Sequence, residues 1–363
     1  MPTPISEKQV KKNILVPEPR ARFLRACYRL PVDTTPVWFM RQAGRYMPEY
    51  RAVREKYSLL EIVERPDIAA EVAMQPILAH NVDAAIIFAD ILLLLVPMGI
   101  NLEFVPGVGP HIDNPVRSTE DVARLRTIDA KTDLGHIMEA IHLLRGELND
   151  DIALIGFAGA PFTVASYMIE GAPSKNYLWV KNMMYSQPED WHSLMNKVAE
   201  ATSNYLLAQI VAGAQAVQLF DSWAGVLSPG DYEQFALPYS KQVLRAVEET
   251  GVPTLHFGTV TSTLLKLMKH AGSTVIGLDW RVPLDDGWNI LGDDVAVQGN
   301  LDPAALLAPL PVLREKAEDV LQRAAGRPGH IFNLGHGILQ HTPVENVSAL
   351  VEMVHEWTAK DAS

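Results

Sequence analysis

The sequence predicts an α/β fold: a single (β/α)8 barrel with a β-hairpin and helical insertion after its second strand. Three observations predict it. About eight short apolar runs alternate with helical stretches along the 363 residues. Most of these runs are continuously apolar, as parallel strands covered on both faces must be. Polar residues with chemistry recur just after the runs, where barrel enzymes place their sites. The rival is a doubly wound open sheet, but no Gly-x-Gly-x-x-Gly follows the first strand.

The strands are expected at about 36–40 (PVWFM), 83–88 (DAAIIF), 152–157 (IALIGF) and 215–220 (QAVQLF), then at 253–257 (PTLHF), 274–278 (TVIGL), 295–299 (VAVQG) and 331–334 (IFNL). Helices fill the intervals. Pro66 and Asp67 open PDIAAEVAMQPILAHN, whose apolar residues recur at helical spacing. Ser186 to Glu189 (SQPE) and Thr342 to Glu345 (TPVE) have capping-box spacing, the second with Pro at the first helical position. The stretch 89–151 is too long for one strand–helix connection. It holds LLLLVPMGINLEFVPGVG, expected to be a hairpin, then helices near 118–126 and 132–147. No linker, low-complexity tract or short repeat divides the chain, so one catalytic domain over residues 1–363 is expected. Its first ~13 and last few residues are expected to be flexible ends.

Composition narrows the function. A net charge of −12 argues against nucleic acid or an anionic membrane as the main partner. Cys27 is the only cysteine, which rules out an intramolecular disulfide framework and a Cys-based zinc or iron–sulfur site, and suits a reducing compartment. The N-terminus has no apolar core and carries Glu7, so it reads as neither signal nor transit peptide. ILLLLVPMGI at 91–100 falls far short of the roughly 20 residues a membrane span needs. A cytoplasmic protein is expected.

The residues at the strand ends are the candidates for chemistry. They are Arg41 and Arg45 after the first strand, Asp90 after the second, and Tyr167 beyond the third. Asp221 and Ser222 end the fourth, His256 lies in the fifth, Asp279 and Asn300 end the sixth and seventh, and His336 follows the eighth in NLGHG. Each has a plainer reading: an ion pair for the arginines, a turn or cap for Asp90 and Ser222, packing for Tyr167, core for His256. For His336 the flanking glycines suit a tight backbone path near a ligand. Arg41, Arg45, Arg51 and Arg54 crowd into FMRQAGRYMPEYR and the residues just after it, with nothing acidic before Glu49. Uncompensated, such charges are costly to bury. A polyanionic ligand supplies the compensation, at roughly 1.5–3 kcal/mol per charge-assisted hydrogen bond. One Asp facing such a cluster suggests a ligand negative at its rim and cationic or NH-bearing in its middle. GFAGAP lacks the Gly-Lys-Ser/Thr ending of a phosphate loop, and no Gly-x-Ser-x-Gly elbow, zinc helix or histidine ligand set is present. An enzyme without cofactor or metal is the expectation.

FMRQAGRYMPEYR, FADIL, GAPFTVASYMIEG, QLFDSWAG and NLGHG, in that order, resemble the uroporphyrinogen decarboxylases, and the resemblance runs from about residue 14 to 357. It implies a (β/α)8 barrel, a cytosolic homodimer and no cofactor or metal. It also implies loss of the four acetate carboxyls of uroporphyrinogen III as CO₂, giving coproporphyrinogen III in tetrapyrrole biosynthesis. By the same resemblance Arg41, Arg45 and Arg54 hold substrate carboxylates. Asp90 accepts hydrogen bonds from the pyrrole NH groups, and Tyr167, Ser222 and His336 complete the pocket between the apolar walls Phe88 and Phe220. Ala89 stands where many members carry Ser. The chemistry agrees: protonating a pyrrole ring beside the acetate-bearing carbon makes a cationic electron sink, which Asp90 can stabilise. A second proton then makes the methyl group, delivered by Arg41, water or a substrate carboxyl; Arg is in general a poor acid. Two alternatives stand beside this. A zinc-dependent methyltransferase of related fold needs cysteine ligands, and this chain has one cysteine. A non-catalytic tetrapyrrole-binding scaffold would bind without turnover.

Overall fold

Short parallel strands dominate the centre of the molecule. The computed structural model describes residues 19–105 and 107–360; the expectation of flexible ends concerns mainly residues outside that range. The strands are β1 (Ala84–Ile86), β2 (Leu102–Val105), β3 (Gly109–Ile112), β4 (Ala153–Gly159), β5 (Ala216–Asp221), β6 (Thr254–Gly258), β7 (Val275–Gly277), β8 (Ala296–Gln298) and β9 (His330–Ile331). Seven of them form one curled sheet in the order β1-β4-β5-β6-β7-β8-β9, every pair parallel. The architecture is α/β with this sheet inside a layer of helices.

Residues 36–40 form a single bridge rather than the predicted strand, Val37 pairing in parallel with Phe332. Phe332 N donates to Pro36 O at 2.9 Å, and Asp83 N donates to Val37 O at 2.8 Å. The segment therefore bonds to the chain just after β9 and just before β1. The regular ladder stops because side chains take over its amides: Phe39 N donates to Gln42 Oε1 and Met40 N to Asn333 Oδ1. Asn333 likewise cuts short the expected 331–334 strand.

The sheet encloses a small apolar cluster. Ala84, Ala153, Ala216 and Ala296 begin β1, β4, β5 and β8 and are fully buried. Their small side chains leave room at the floor for the helix Arg22–Cys27, whose Phe23 meets Trp38 edge to face at 6.4 Å. Above the floor, Trp38 Nε1 donates to Gln298 Oε1 and Gln298 Nε2 to Gln218 Oε1, a buried chain that ends at the partnerless Gln218 Nε2. A larger cluster lies between the sheet and the surrounding helices.

The helix Pro66–His80 begins where its Pro and Asp predict. Both predicted capping boxes are absent. Ser186 ends the preceding helix Leu178–Ser186, and the next helix, Pro188–Ala212, starts with Gln187 at its cap and no side-chain cap bond. Glu189 and Asp190 instead place negative charge in its first turn. Pro343, not Thr342, caps Val344–Thr358, so Pro lies one place before the first helical residue, and the Thr342 hydroxyl is buried without a partner. Between β1 and β4 the chain makes a tight turn at Leu93–Leu95, the antiparallel pair β2–β3, and helices Thr119–Arg124, Ala130–Asp133 and Gly135–Glu147. No helix among the described residues is long and apolar enough to cross a membrane.

One buried carboxylate ties the chain ends to the sheet. Asp83 accepts from Val37 N at 2.6 Å, Arg22 Nη1 at 2.9 Å and His355 Nε2 at 2.8 Å. It thus joins the floor helix, the 36–40 segment, β1 and the helix Val344–Thr358.

Candidate active site

The first strand-end loop divides its side chains between two jobs. Gln42 is fully buried; it accepts from Phe39 N and donates to Ala84 O at 3.0 Å, bolting the loop to β1. Arg51 donates to the carbonyls of Arg45 and Tyr46 at 3.0 and 2.8 Å. It is employed within the protein and leaves the block of free charges. Arg54 donates to Tyr57 O at 2.7 Å from the end of the helix Pro48–Arg54. Arg41 and Arg45 are exposed, and neither guanidinium hydrogen-bonds or pairs with any described residue. Arg41 holds φ at 61°, a left-handed backbone that L side chains rarely adopt and that gathers at functional sites.

NLGHG comes up against Arg41. A Cβ on Gly337 would lie 2.6 Å from Arg41 Cγ, and one on Gly335 3.0 Å from Trp280 Cβ. Glycine at both places lets the loop run between Arg41 and Trp280, and it sets the half-buried His336 between them. Burial first, then the charges of Arg41 and Arg281, lower His336 to about 4, against an opposing pull from Asp279. Its imidazole is neutral at neutral pH, with Nδ1 accepting from Gly337 N at 2.6 Å.

Asp90 lies half-buried beyond β1 and accepts from Leu92 N at 2.9 Å. Burial raises its carboxyl above the ordinary range, more than the Leu92 amide and the Arg41 charge lower it. Tyr167, on the helix Pro161–Glu170, is pushed up to about 12 by burial and by the Asp90 charge, with Arg41 opposing. The charge on Arg41 therefore reaches Asp90, Tyr167 and His336, and these four predicted residues share one electrostatic site.

The predicted walls are half-buried. Phe88 packs on Tyr50 at 5.6 Å, and Tyr50 also feels the charges of Arg54 and Arg45. Phe220 meets Phe157 and Phe257 edge to face, and Phe257 in turn meets His336. Ser222 is half-buried, its carbonyl accepting from the Thr259 hydroxyl. Trp223 beside it packs on Tyr167, the ring centroids 3.7 Å apart and the planes tilted by 32°, an aromatic contact with no signal in the sequence beyond its neighbours.

Three strand-end residues do other work. Asp221 turns to the helix layer, where Thr163 donates to it at 2.9 Å. His256 is paired in register with Leu219 and Ile276, both of the outer cluster, and lies 3.6 Å from Asp221. Asn300 bolts the carbonyls of Asp279 and Val282. Cys27 is buried in the floor helix, at the other end of the strands, and burial pushes its thiol up. Among the described residues no cluster of three or more His, Cys, Asp or Glu could hold a metal ion.

An exposed guanidinium whose charge reaches a half-buried carboxylate, a second, Arg45, near the Tyr50–Phe88 wall, a phenol and a neutral imidazole can together grip a polyanion and stabilise a cation at its centre. The family model for uroporphyrinogen decarboxylase (URO-D) matches residues 18–357. The uroporphyrinogen decarboxylase of Carboxydothermus hydrogenoformans is 56% identical over 334 residues, 92% of this chain and 95% of that protein. That of Roseiflexus sp. is 55% identical over 345 residues, 94% of this chain and 99% of that protein. Among solved structures, a methyltransferase from Methanosarcina mazei superposes with a TM-score of 0.76 at 20% identity, covering 93% of this chain and 98% of that one, a likeness of fold alone. The chain belongs to the uroporphyrinogen decarboxylase family.

Proposed function

We propose that the protein is a carboxy-lyase that converts uroporphyrinogen III to coproporphyrinogen III, removing four acetate carboxyls as CO₂ in tetrapyrrole biosynthesis. The observation that carries this is that the exposed Arg41, whose guanidinium has no partner among the described residues, acts by its charge on the half-buried carboxylate of Asp90, with the equally unpartnered Arg45 four residues on. Arg41, Arg45 and Arg54 bind substrate carboxylates. Asp90 accepts hydrogen bonds from the pyrrole NH groups. Tyr167 and Ser222 donate to the rim, His336 does so as a neutral imidazole, and Phe88 and Phe220 flank the rings.

The electrons follow a short course. A proton adds to the pyrrole carbon next to the acetate-bearing one, and the ring becomes a cation held against Asp90. The bond to the carboxylate carbon breaks, CO₂ leaves, and its electron pair enters the ring. A second proton completes the methyl group, and the ring proton is lost. Each acetate thus exchanges CO₂ for one net proton. Arg41, water or a substrate carboxyl delivers that second proton.

The parallel bonds of residues 36–38 to Phe332 and Asp83 support closure of the sheet into an eight-stranded barrel, with the segment 87–152 as an insertion and the whole chain as one catalytic domain. A cytoplasmic homodimer goes with this reading; sedimentation at low micromolar concentration tests the dimer. The activity is tested anaerobically with purified protein and no added cofactor. Uroporphyrinogen should yield coproporphyrinogen, and Asp90→Ala should nearly abolish the conversion. Binding without CO₂ release by the wild-type protein would instead favour a non-catalytic scaffold.

A further inference from the structure

Arg281 is a further guanidinium, beyond Arg41, Arg45 and Arg54, that sequence reasoning passed over. It follows Asp279, which lies two residues beyond the end of β7. Its Nη1 donates to Asp279 Oδ2 at 2.9 Å, its own backbone amide donates to Asp279 Oδ1 at 2.9 Å, and its Cζ sits 3.9 Å over the Trp280 ring. The side chain is thereby held from two sides, yet it is 43% exposed. Asp279 needs little from it: the amides of Val260 and Arg281 already donate to the two carboxylate oxygens. Asp279 is the one hydrogen-bonding partner of the guanidinium among the described residues, and it uses a single donor of the five that arginine carries. The rest of the fork is free.

The place matters as much as the freedom. Gly335 abuts Trp280, the residue before Arg281, and Gly337 abuts Arg41, so the slim NLGHG loop passes between Arg41 and Trp280, and the charges of both arginines reach His336. We propose that Arg281 is a specificity-determining residue that binds a substrate carboxylate on the far side of His336 from Arg41. The ligand group is a propionate carboxylate. Acetates are consumed one per round, whereas propionates persist through all four, and an anchor pinned by Asp279 and Trp280 serves every round. Burial, together with the charges of Arg41 and Arg281, keeps His336 neutral, and with Nδ1 taken by the Gly337 amide the imidazole between them presents Nε2–H as a donor while both arginines hold anions.

The inference rests on the decarboxylase reading, and the experiment separates the two. Wild-type turnover of uroporphyrinogen tests the reading. Arg281→Gln tests the inference, with KM and kcat measured for uroporphyrinogen and for the heptacarboxylic intermediate, and thermal unfolding measured beside them. The expected result is a rise in KM of about tenfold for both substrates, the loss of about one charge-assisted hydrogen bond, with kcat changed less than about threefold. Arg281→Lys keeps the charge but not the planar fork and should give a smaller rise. A folded Arg281→Gln protein with wild-type KM overturns the proposal and leaves Arg281 as a partner of Asp279 only. If that variant does not fold, Arg281→Lys decides: unchanged KM overturns the proposal, raised KM supports it.

Discussion

Asp90 carries a charge that its surroundings oppose. Burial raises its carboxyl more than the charge of Arg41 lowers it, and the Arg41 guanidinium forms no ion pair with a described residue. A raised carboxyl means the folded state holds its proton more tightly than the unfolded chain, so ionising it costs stability as pH rises through the raised value. Asp90→Asn should therefore leave the melting temperature unchanged or higher while lowering kcat by roughly 10³-fold, the scale of removing one preorganised electrostatic contact. The acid limb of kcat/KM should lie above the ordinary carboxylate range; a limb at or below pH 3.8 would contradict the stated environment. Gly337→Ala tests the neighbouring contact. The new methyl would overlap the flexible stem of Arg41, which can swing away, so the fold should survive while activity falls at least about tenfold. Coincident loss of folding by circular dichroism would refute that account. Arg41, Asp90, Tyr167 and His336 were legible because position after an apolar run marks a strand end. Arg51 sits in the same sequence block as Arg41 and differs only because two carbonyls face it across the loop. Gln42, Trp223 and Arg281 were illegible for the same reason: what each does depends on a partner brought near by folding.

Strands were easier to read than helix starts, and the physics of each explains why. A parallel strand covered on both faces must be apolar along its length, and β4, β5 and β6 begin and end within two residues of their predicted bounds. A helix cap depends on a single φ/ψ choice. Ser186 keeps helical geometry to the end of its own helix, so its hydroxyl never meets the next one. The bond pattern of 36–40 also escaped the sequence, because Gln42 and Asn333 take up its amides. What holds that segment is Asp83, buried and bonded to three other elements. Asp83→Ala would leave Arg22 and the Val37 amide without their shared acceptor, at a cost of about 3 kcal/mol or more. Urea unfolding should show this as a lower midpoint with an unchanged slope. An undiminished midpoint would mean that the helix Val344–Thr358 docks by its apolar face alone.

The whole molecule carries a pH dependence that no single element shows. His80, His330 and His336 each stand at about 4, lowered from 6.5 chiefly by burial. A histidine lowered in the folded state binds fewer protons there than in the unfolded chain. Between pH 6.5 and about 4 the unfolded state therefore takes up protons that the native state refuses, and stability falls as pH falls through that window. Each such proton contributes a slope of about 1.4 kcal/mol per pH unit. His80 and His330 are 3% and 5% exposed and should carry most of the effect, whereas the half-buried His336 carries less. His136, lowered from 6.5 by burial, acts in the same direction, whereas the lowered carboxylates Asp33, Asp121, Asp285 and Asp294 start from 3.8 and Glu61 from 4.5, so they act at or below the acid end of this window. Asp90, raised rather than lowered, runs the opposite way and offsets part of one proton. Urea midpoints measured from pH 7 to 4 should thus decline with a net uptake of about two protons. His80→Gln should remove about one of them, because an amide does not titrate in this range yet can still bond the Tyr46 hydroxyl that His80 meets at 3.0 Å. A midpoint independent of pH across that range would show that the buried imidazoles are solvated as well in the native state as in the unfolded one.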